Sequence, residues 1–182
     1  LFNLYLSDLY HEIAENMYKL RGRKRGGKRV NLARHVLFYM DDILLLGASA
    51  KDMNAAAKQV IAKAAAMGLE IKPDWRVFRI ADAKGDRGSF IDMMGFRFYR
   101  KYTTLRSRVF LRLRRAFLRA QRRRTLSLRA AQRCIAYFGF VLHTSSFTIA
   151  HRYKVYKAIK KAKEVISRES KISRSAAAGA IG

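Results

Sequence analysis

Residues 35–50 read HVLFYMDDILLLGASA, and the two adjacent acids at their centre restrict what this segment can become. Asp41 and Asp42 stand between two short, mostly apolar, β-prone runs, 34–40 and 43–47. A carboxylate buried among such side chains carries a large desolvation cost, and two neighbours also repel each other. The acids must therefore sit where a cation or water reaches them. Two strands joined by a tight turn satisfy this, with Met40, Asp41 and Asp42 at the tip of a hairpin.

Ser49 then caps a predicted helix, with Asp52 three residues on as an imperfect capping box. Met53, Ala57, Val60, Ile61, Ala64 and Met67 form its apolar face, and Gly68 ends it as a left-handed residue would. Upstream, Phe2, Leu6, Leu9, Ile13, Met17 and Leu20 recur every three or four residues, which predicts an amphipathic helix over 1–20. RGRKRGGKR, 21–29, has no apolar residue to bury and reads as a flexible loop, solvated or touching phosphate, with a nuclear-localisation reading as the alternative. Downstream, 69–80 and 89–100 read as strands joined by turn-rich ADAKGDRG. Met94, Phe96 and Phe98 alternate there with Gly95, Arg97 and Tyr99, and Gly95 leaves room for another backbone or a ligand.

Beyond Thr104 the period becomes helical. Leu105, Val109, Leu113, Ala116, Phe117 and Ala120 form one stripe, and Arg108, Arg112, Arg115, Arg119 and Arg122 form another. Ser127 is placed to cap a helix through Leu142, with Leu128, Ala131, Ile135, Phe138 and Leu142 inward. Thr148 is placed to cap a third, carrying Tyr153, Tyr156, Ile159 and Ile166. KISRSAAAGAIG, the last dozen residues, reads as a disordered tail.

Charge divides the 182 residues. Lys and Arg number 39 against 13 Asp and Glu, for a formal net charge of +26, which points to a polyanionic partner: nucleic acid first, an anionic membrane surface second. From Met93 to Lys163 there is no acid at all, and every acid except Glu164 and Glu169 lies between Asp8 and Asp92. A one-sided arginine stripe with no neutralising acids suits a row of phosphates, whereas solvated faces normally mix signs. The lone Cys134 forms no internal disulfide, fits a reducing compartment, and reads as a small core residue. His35, His143 and His151 are isolated and read as structural. No apolar run approaches the ~18 residues that would span a bilayer.

Two carboxylates on rigid strands suit hard divalent cations, Mg²⁺ above all, in a two-metal arrangement that activates one oxygen and steadies the leaving group. A plain surface turn is the alternative, since Asp favours turns; the apolar flanks favour a site. FYMDDILLLG, Phe38–Gly47, resembles the catalytic palm hairpin of bacterial reverse transcriptases of the diversity-generating-retroelement and group II intron kind. LFNLYLSDLYHEI resembles the tail of the palm helix before that hairpin, and the helix from Ala50 to Met67 with the following strand resembles the next palm motif. DMMGFRFYRKYTTLR is similar to the primer-grip hairpin, and AQRCIAYFGFVLHTSSF to the helical thumb.

The resemblance implies an α+β fold: a polymerase palm remnant of β-hairpins backed by helices over 1–104, an all-helical thumb over 105–168, and a disordered tail over 169–182. It implies RNA-directed DNA synthesis with Mg²⁺, or Mn²⁺ in its place, on Asp41 and Asp42, and Lys72 as general acid. Tyr39 and Met40 would lie near the primer end, with ordinary hairpin residues as the alternative. Gly95, Phe96, Arg97 and Tyr99 would position the primer backbone, with an amphipathic edge strand as the alternative, and the arginine stripe would line the thumb. The implied partners are an RNA template, a DNA primer, deoxynucleoside triphosphates and a retroelement accessory protein, with no membrane, in a bacterial or phage-encoded cytoplasmic protein. Family members also carry fingers, a third metal-binding Asp and a Ser-Gln opening the first helix. None of these is among the 182 residues, and Asp8 lies several turns away. The chain begins with Leu1 inside an amphipathic pattern, so the expectation is a portion of a larger enzyme, inactive alone. A non-catalytic RNA-binding remnant or accessory protein is the alternative.

Overall fold

The chain reverses at Met40 and Asp41, the loop of an antiparallel hairpin between β3 (His35–Tyr39) and β4 (Asp42–Leu46). This is the hairpin expected from the paired acids, except that Asp42 heads the second strand. The computed structural model describes residues 6–22 and 26–179, with side chains through residue 175. The architecture is α+β, with small antiparallel sheets and helices, and it divides into two units, Leu1–Arg79 and Ile80–Gly182.

In the first unit, the expected helix over 1–20 is only partly present; residues 1–5 lie outside the described residues. Helix α1 (Ser7–His11) widens into a π-type turn (Glu12–Asn16) and gives way to strand β1 (Tyr18–Arg21). Leu6, Leu9, Ile13 and Met17 are buried, as helical spacing requires, but Leu20 is 56% exposed. The cause is non-local: β1 pairs with β2 (Lys28–Asn31), and the Leu32 N–H donates to the Met17 carbonyl at 2.9 Å. The expected loop over 21–29 is therefore strand at both ends. Its described part bends through left-handed Gly22, Gly26 and Gly27, and residues 23–25 lie outside the described residues.

Helix α2 (Ala50–Ala66) is capped as expected, Ser49 Oγ accepting from the Asp52 N–H at 3.4 Å, and left-handed Gly68 (φ 76°) follows it. The Asp52 carboxylate does not complete a capping box; it pairs with Lys19 Nζ at 2.6 Å. Met53, Ala56, Val60 and Ala64 are buried against α1, with Val36, Phe38, Ile43 and Leu45 of the hairpin packed on this core. A Cβ at Gly47 would run into the Met53 thioether and lie 3.2 Å from the Leu32 carbonyl, so a larger residue there requires the Met53 side chain to move. No strand forms over 69–79. Pro73, which lacks an N–H, turns the chain with Asp74, and Ile71 and Val77 pack singly on the core.

In the second unit, Ile80 makes one isolated bridge to Ser89. The expected strand over 89–100 folds back on itself at Met94 and Gly95, both left-handed (φ 54° and 85°), into β5 (Ile91–Met93) and β6 (Phe96–Phe98). Strand β7 (Thr103–Leu105) completes a sheet of order β5-β6-β7. Helix α3 (Ser107–Arg122) buries Leu113, Phe117 and Ala120 as expected. Helix α4 (Leu128–Leu142) is capped by Ser127, but its inward face is Ala131, Cys134 and Val141; Leu128 and Leu142, expected inward, are 37% and 59% exposed.

The single helix expected from Thr148 is two, α5 (Phe147–Arg152) and α6 (Val155–Gly179), divided at left-handed Lys154 (φ 45°). Thr148 lies inside α5 instead of capping it, and Tyr156 is 60% exposed. The α6 helix runs through Gly179, where a tail without structure was expected; its Lys, Arg, Ser and Ala residues tolerate helix and no proline stops it. Leu105 is buried in the helical core of the second unit and Phe96 packs against it, which ties the small sheet to the helices.

Candidate functional site: a carboxylate hairpin and an arginine groove

On the β3–β4 hairpin, Val36 and Phe38 alternate inward while Leu37 and Tyr39 face out, and Phe38 meets Tyr10 edge-on with centroids 5.6 Å apart. Tyr39 pairs with Asp42, so the loop contains only Met40 and Asp41. Met40 adopts φ 50°, a conformation that a side chain other than glycine's tolerates at a cost, and it is 62% exposed. Asp41 and Asp42 are both exposed, and neither carboxylate makes a hydrogen bond or ion pair among the described residues.

Two free carboxylates side by side match the oxygen donors that Mg²⁺ or Mn²⁺ requires. Among the described residues no group of three or more His, Cys, Asp and Glu side chains forms a metal cage. Asp41 and Asp42 could thus hold a cation whose shell is finished by water or bound phosphate. Lys72 is exposed on the irregular segment after α2 and forms no ion pair with either aspartate.

In the second unit the residues matched to a primer grip are engaged with neighbouring side chains of the same unit. Gly95 forms the turn, and a Cβ there would press within 3.1 Å of Phe140 and 3.2 Å of Val109; the room it leaves is filled by the protein's own side chains. Phe96 packs on Phe140 with centroids 5.3 Å apart. The Arg97 guanidinium lies 4.7 Å over the Phe90 ring, its Nε 3.9 Å from Asp92, which Arg106 holds at 2.6 Å. Tyr99 stacks on Tyr102 at 4.7 Å.

The arginine stripe is exposed along its whole length, opposite buried Leu113 and Phe117. A groove of ≈ 500 Å³ lies between α3 and α4, lined by Arg112, Arg115, Arg119, Arg123, Arg129 and Arg133, with no acid among its walls. Arg108 and Arg122 fall outside it. Arg123, Arg129 and Arg133 were missed in the sequence because they join the stripe only through the α3–α4 turn; the acid-free span containing them was the available signal. Guanidiniums gathered this way repel one another, and a phosphate relieves that by accepting paired hydrogen bonds. Cys134 borders the groove, and burial pushes its thiol above the ordinary range. His35, His143 and His151 are exposed, and among the described residues they belong to no group of three or more metal-ligating side chains. No helix among the described residues is long and apolar enough to cross a membrane.

Comparison with known protein families, curated proteins and solved structures finds no match to this chain.

Proposed function

We propose that this chain is the palm and thumb portion of an RNA-directed DNA polymerase. The observation that carries the reading is the Tyr39–Met40–Asp41–Asp42 hairpin tip, with two exposed, unpaired carboxylates side by side, one on the two-residue loop and one at the head of β4. Bound there, Mg²⁺ would activate the attacking oxygen and neutralise charge developing on the leaving group. Asp41 and Asp42 would hold the cation, and the outward Tyr39 and Met40 would rest against the primer end. The α3–α4 arginines would grip the template–primer backbone by charge and shape, as suits an A-form duplex.

The groove by itself also favours a second reading, an RNA-binding protein without chemistry. Primer extension on an RNA template, using the full-length gene product that contains these residues, separates the two. The polymerase reading expects extension that Asp41→Asn nearly eliminates while duplex binding persists. Extension at wild-type rate in Asp41→Asn defeats the catalytic assignment, and binding with no extension in the wild type favours the second reading.

A further inference from the structure

The β1–β2 ribbon has no role in the polymerase reading. Its two strands pair only with each other, and every residue is exposed except half-buried Val30. Its root is fixed: Met17, Leu32 and Ala33 are buried, Lys19 is held by Asp52, and Asn31 Nδ2 donates to the Ala14 carbonyl. Its far end is charged. Arg21 and Lys28 stand directly opposite each other, a like-charge cross-strand pair that destabilises a ribbon unless an anion bridges it. From Met17 to Met40 the sequence holds no acid to supply that anion.

One face adds an aromatic platform. Tyr18, Leu20, Arg29 and Asn31 share it through the register, and the Arg29 guanidinium lies 4.3 Å over the Tyr18 ring. A ring and a planar cation held together present the flat surface on which unpaired bases stack. A duplex hides its base faces and has no use for such a platform; a single strand uses both the platform and the cations.

We propose that the ribbon is a binding site for single-stranded nucleic acid that passes over its edge, with bases stacking on Tyr18 and Arg29 of one face and phosphates bridging Arg21 and Lys28 of the other. The inference stands on the ribbon's own residues and survives a failure of the polymerase reading, since binding and extension are separate readouts.

The test is fluorescence anisotropy of the 182-residue chain with end-labelled oligouridylate, oligodeoxythymidylate and an RNA duplex of equal length, over a salt series. Tyr18→Ala is expected to weaken both single strands about tenfold and leave the salt slope unchanged, while Tyr18→Phe restores affinity. Replacing Arg21 and Lys28 together by Gln should flatten the single-strand slope of log affinity against log salt by about one to one and a half units, at ~0.7 per phosphate. Duplex binding should change less than about twofold in each variant. Because the residues are exposed, circular dichroism should be unaltered. Wild-type single-strand binding by Tyr18→Ala, or an equal loss for the duplex, overturns the proposal.

Discussion

Tyr39 and Asp42 face each other as the last pair of the β3–β4 ladder, so the two neighbouring acids differ in kind: Asp42 is set by strand pairing, and Asp41 by a loop whose other residue, Met40, is left-handed. Neither carboxylate has a partner among the described residues, and the two repel. Asp41→Asn and Asp42→Asn are therefore expected to leave stability within ~0.5 kcal/mol of wild type or to raise it. Chemical denaturation of the 182-residue chain checks this. A loss beyond ~1 kcal/mol in either variant would mean that the acids hold the fold instead of serving a ligand.

Met40 invites a companion experiment. Glycine removes the left-handed strain but enlarges the unfolded ensemble, so Met40→Gly should shift stability by less than ~0.5 kcal/mol. If the side chain touches a primer, extension by the full-length product should nonetheless fall. A large stability loss would show that the exposed Met40 side chain packs on something essential.

The groove makes a prediction that the helical stripe alone does not. Arg129 and Arg133 lie on α4, yet they line the same walls as Arg112, Arg115 and Arg119. Changing Arg112, Arg115 and Arg119 to Gln should flatten the salt slope of duplex binding by about two to three units, at ~0.9 per phosphate for a B-form duplex. Changing Arg129 and Arg133 should flatten it by about one to two units, and changing Arg108 and Arg122, outside the groove, by less than about one. Equal effects from the last two pairs would favour a diffuse basic surface over a groove.

Gly95 tests the packing beneath the small sheet. It combines φ 85° with a Cβ position 3.1 Å from Phe140 and 3.2 Å from Val109. Gly95→Ala should cost ~1–3 kcal/mol, adding left-handed strain to crowding against a half-buried ring. Trimming the neighbour in Gly95→Ala/Val109→Ala should recover part of the crowding share, read as a non-additive double-mutant cycle. Strict additivity would assign the whole cost to the backbone.

Where neighbours in sequence decided the structure, the sequence was legible. The paired acids with β-prone flanks marked the hairpin, Ser49 and Ser127 marked two helix starts, and Leu113 and Phe117 marked the buried side of α3. Errors arose where distant pairing or tertiary packing won. Leu20 continues a helical period but stands on a ribbon, because residues 28–31 offer β1 a partner. The 69–80 run has strand character but finds a partner only at Ile80, through one isolated bridge to Ser89, and carries Pro73. Arg129 and Arg133 joined the candidate site only when α4 folded back on α3. The acid pair could be read as a site because its chemistry is local, whereas the groove's membership is a matter of space.

Acid should loosen the first unit through one particular pair. Glu12, in the π-type turn, accepts from Lys63 on α2 and from Asn16. The Lys63 hydrogen bond, then that from Asn16, holds the Glu12 carboxyl below its ordinary value. A carboxylate favoured in the folded state binds fewer protons there than when unfolded, so its contribution is intact above the unfolded value, near pH ~4.3, and fades as pH falls through the lowered folded value. Glu12→Gln should therefore melt below wild type at neutral pH, and the gap should close as the buffer is taken below about pH 4. Lys63→Gln should reproduce the neutral-pH loss and remove most of the further effect of Glu12→Gln in the double variant. Thermal melts of the single and double variants across the acid range check both statements. A gap that stays constant across that range would mean that Glu12 acts through packing or turn geometry and that its ionisation contributes nothing.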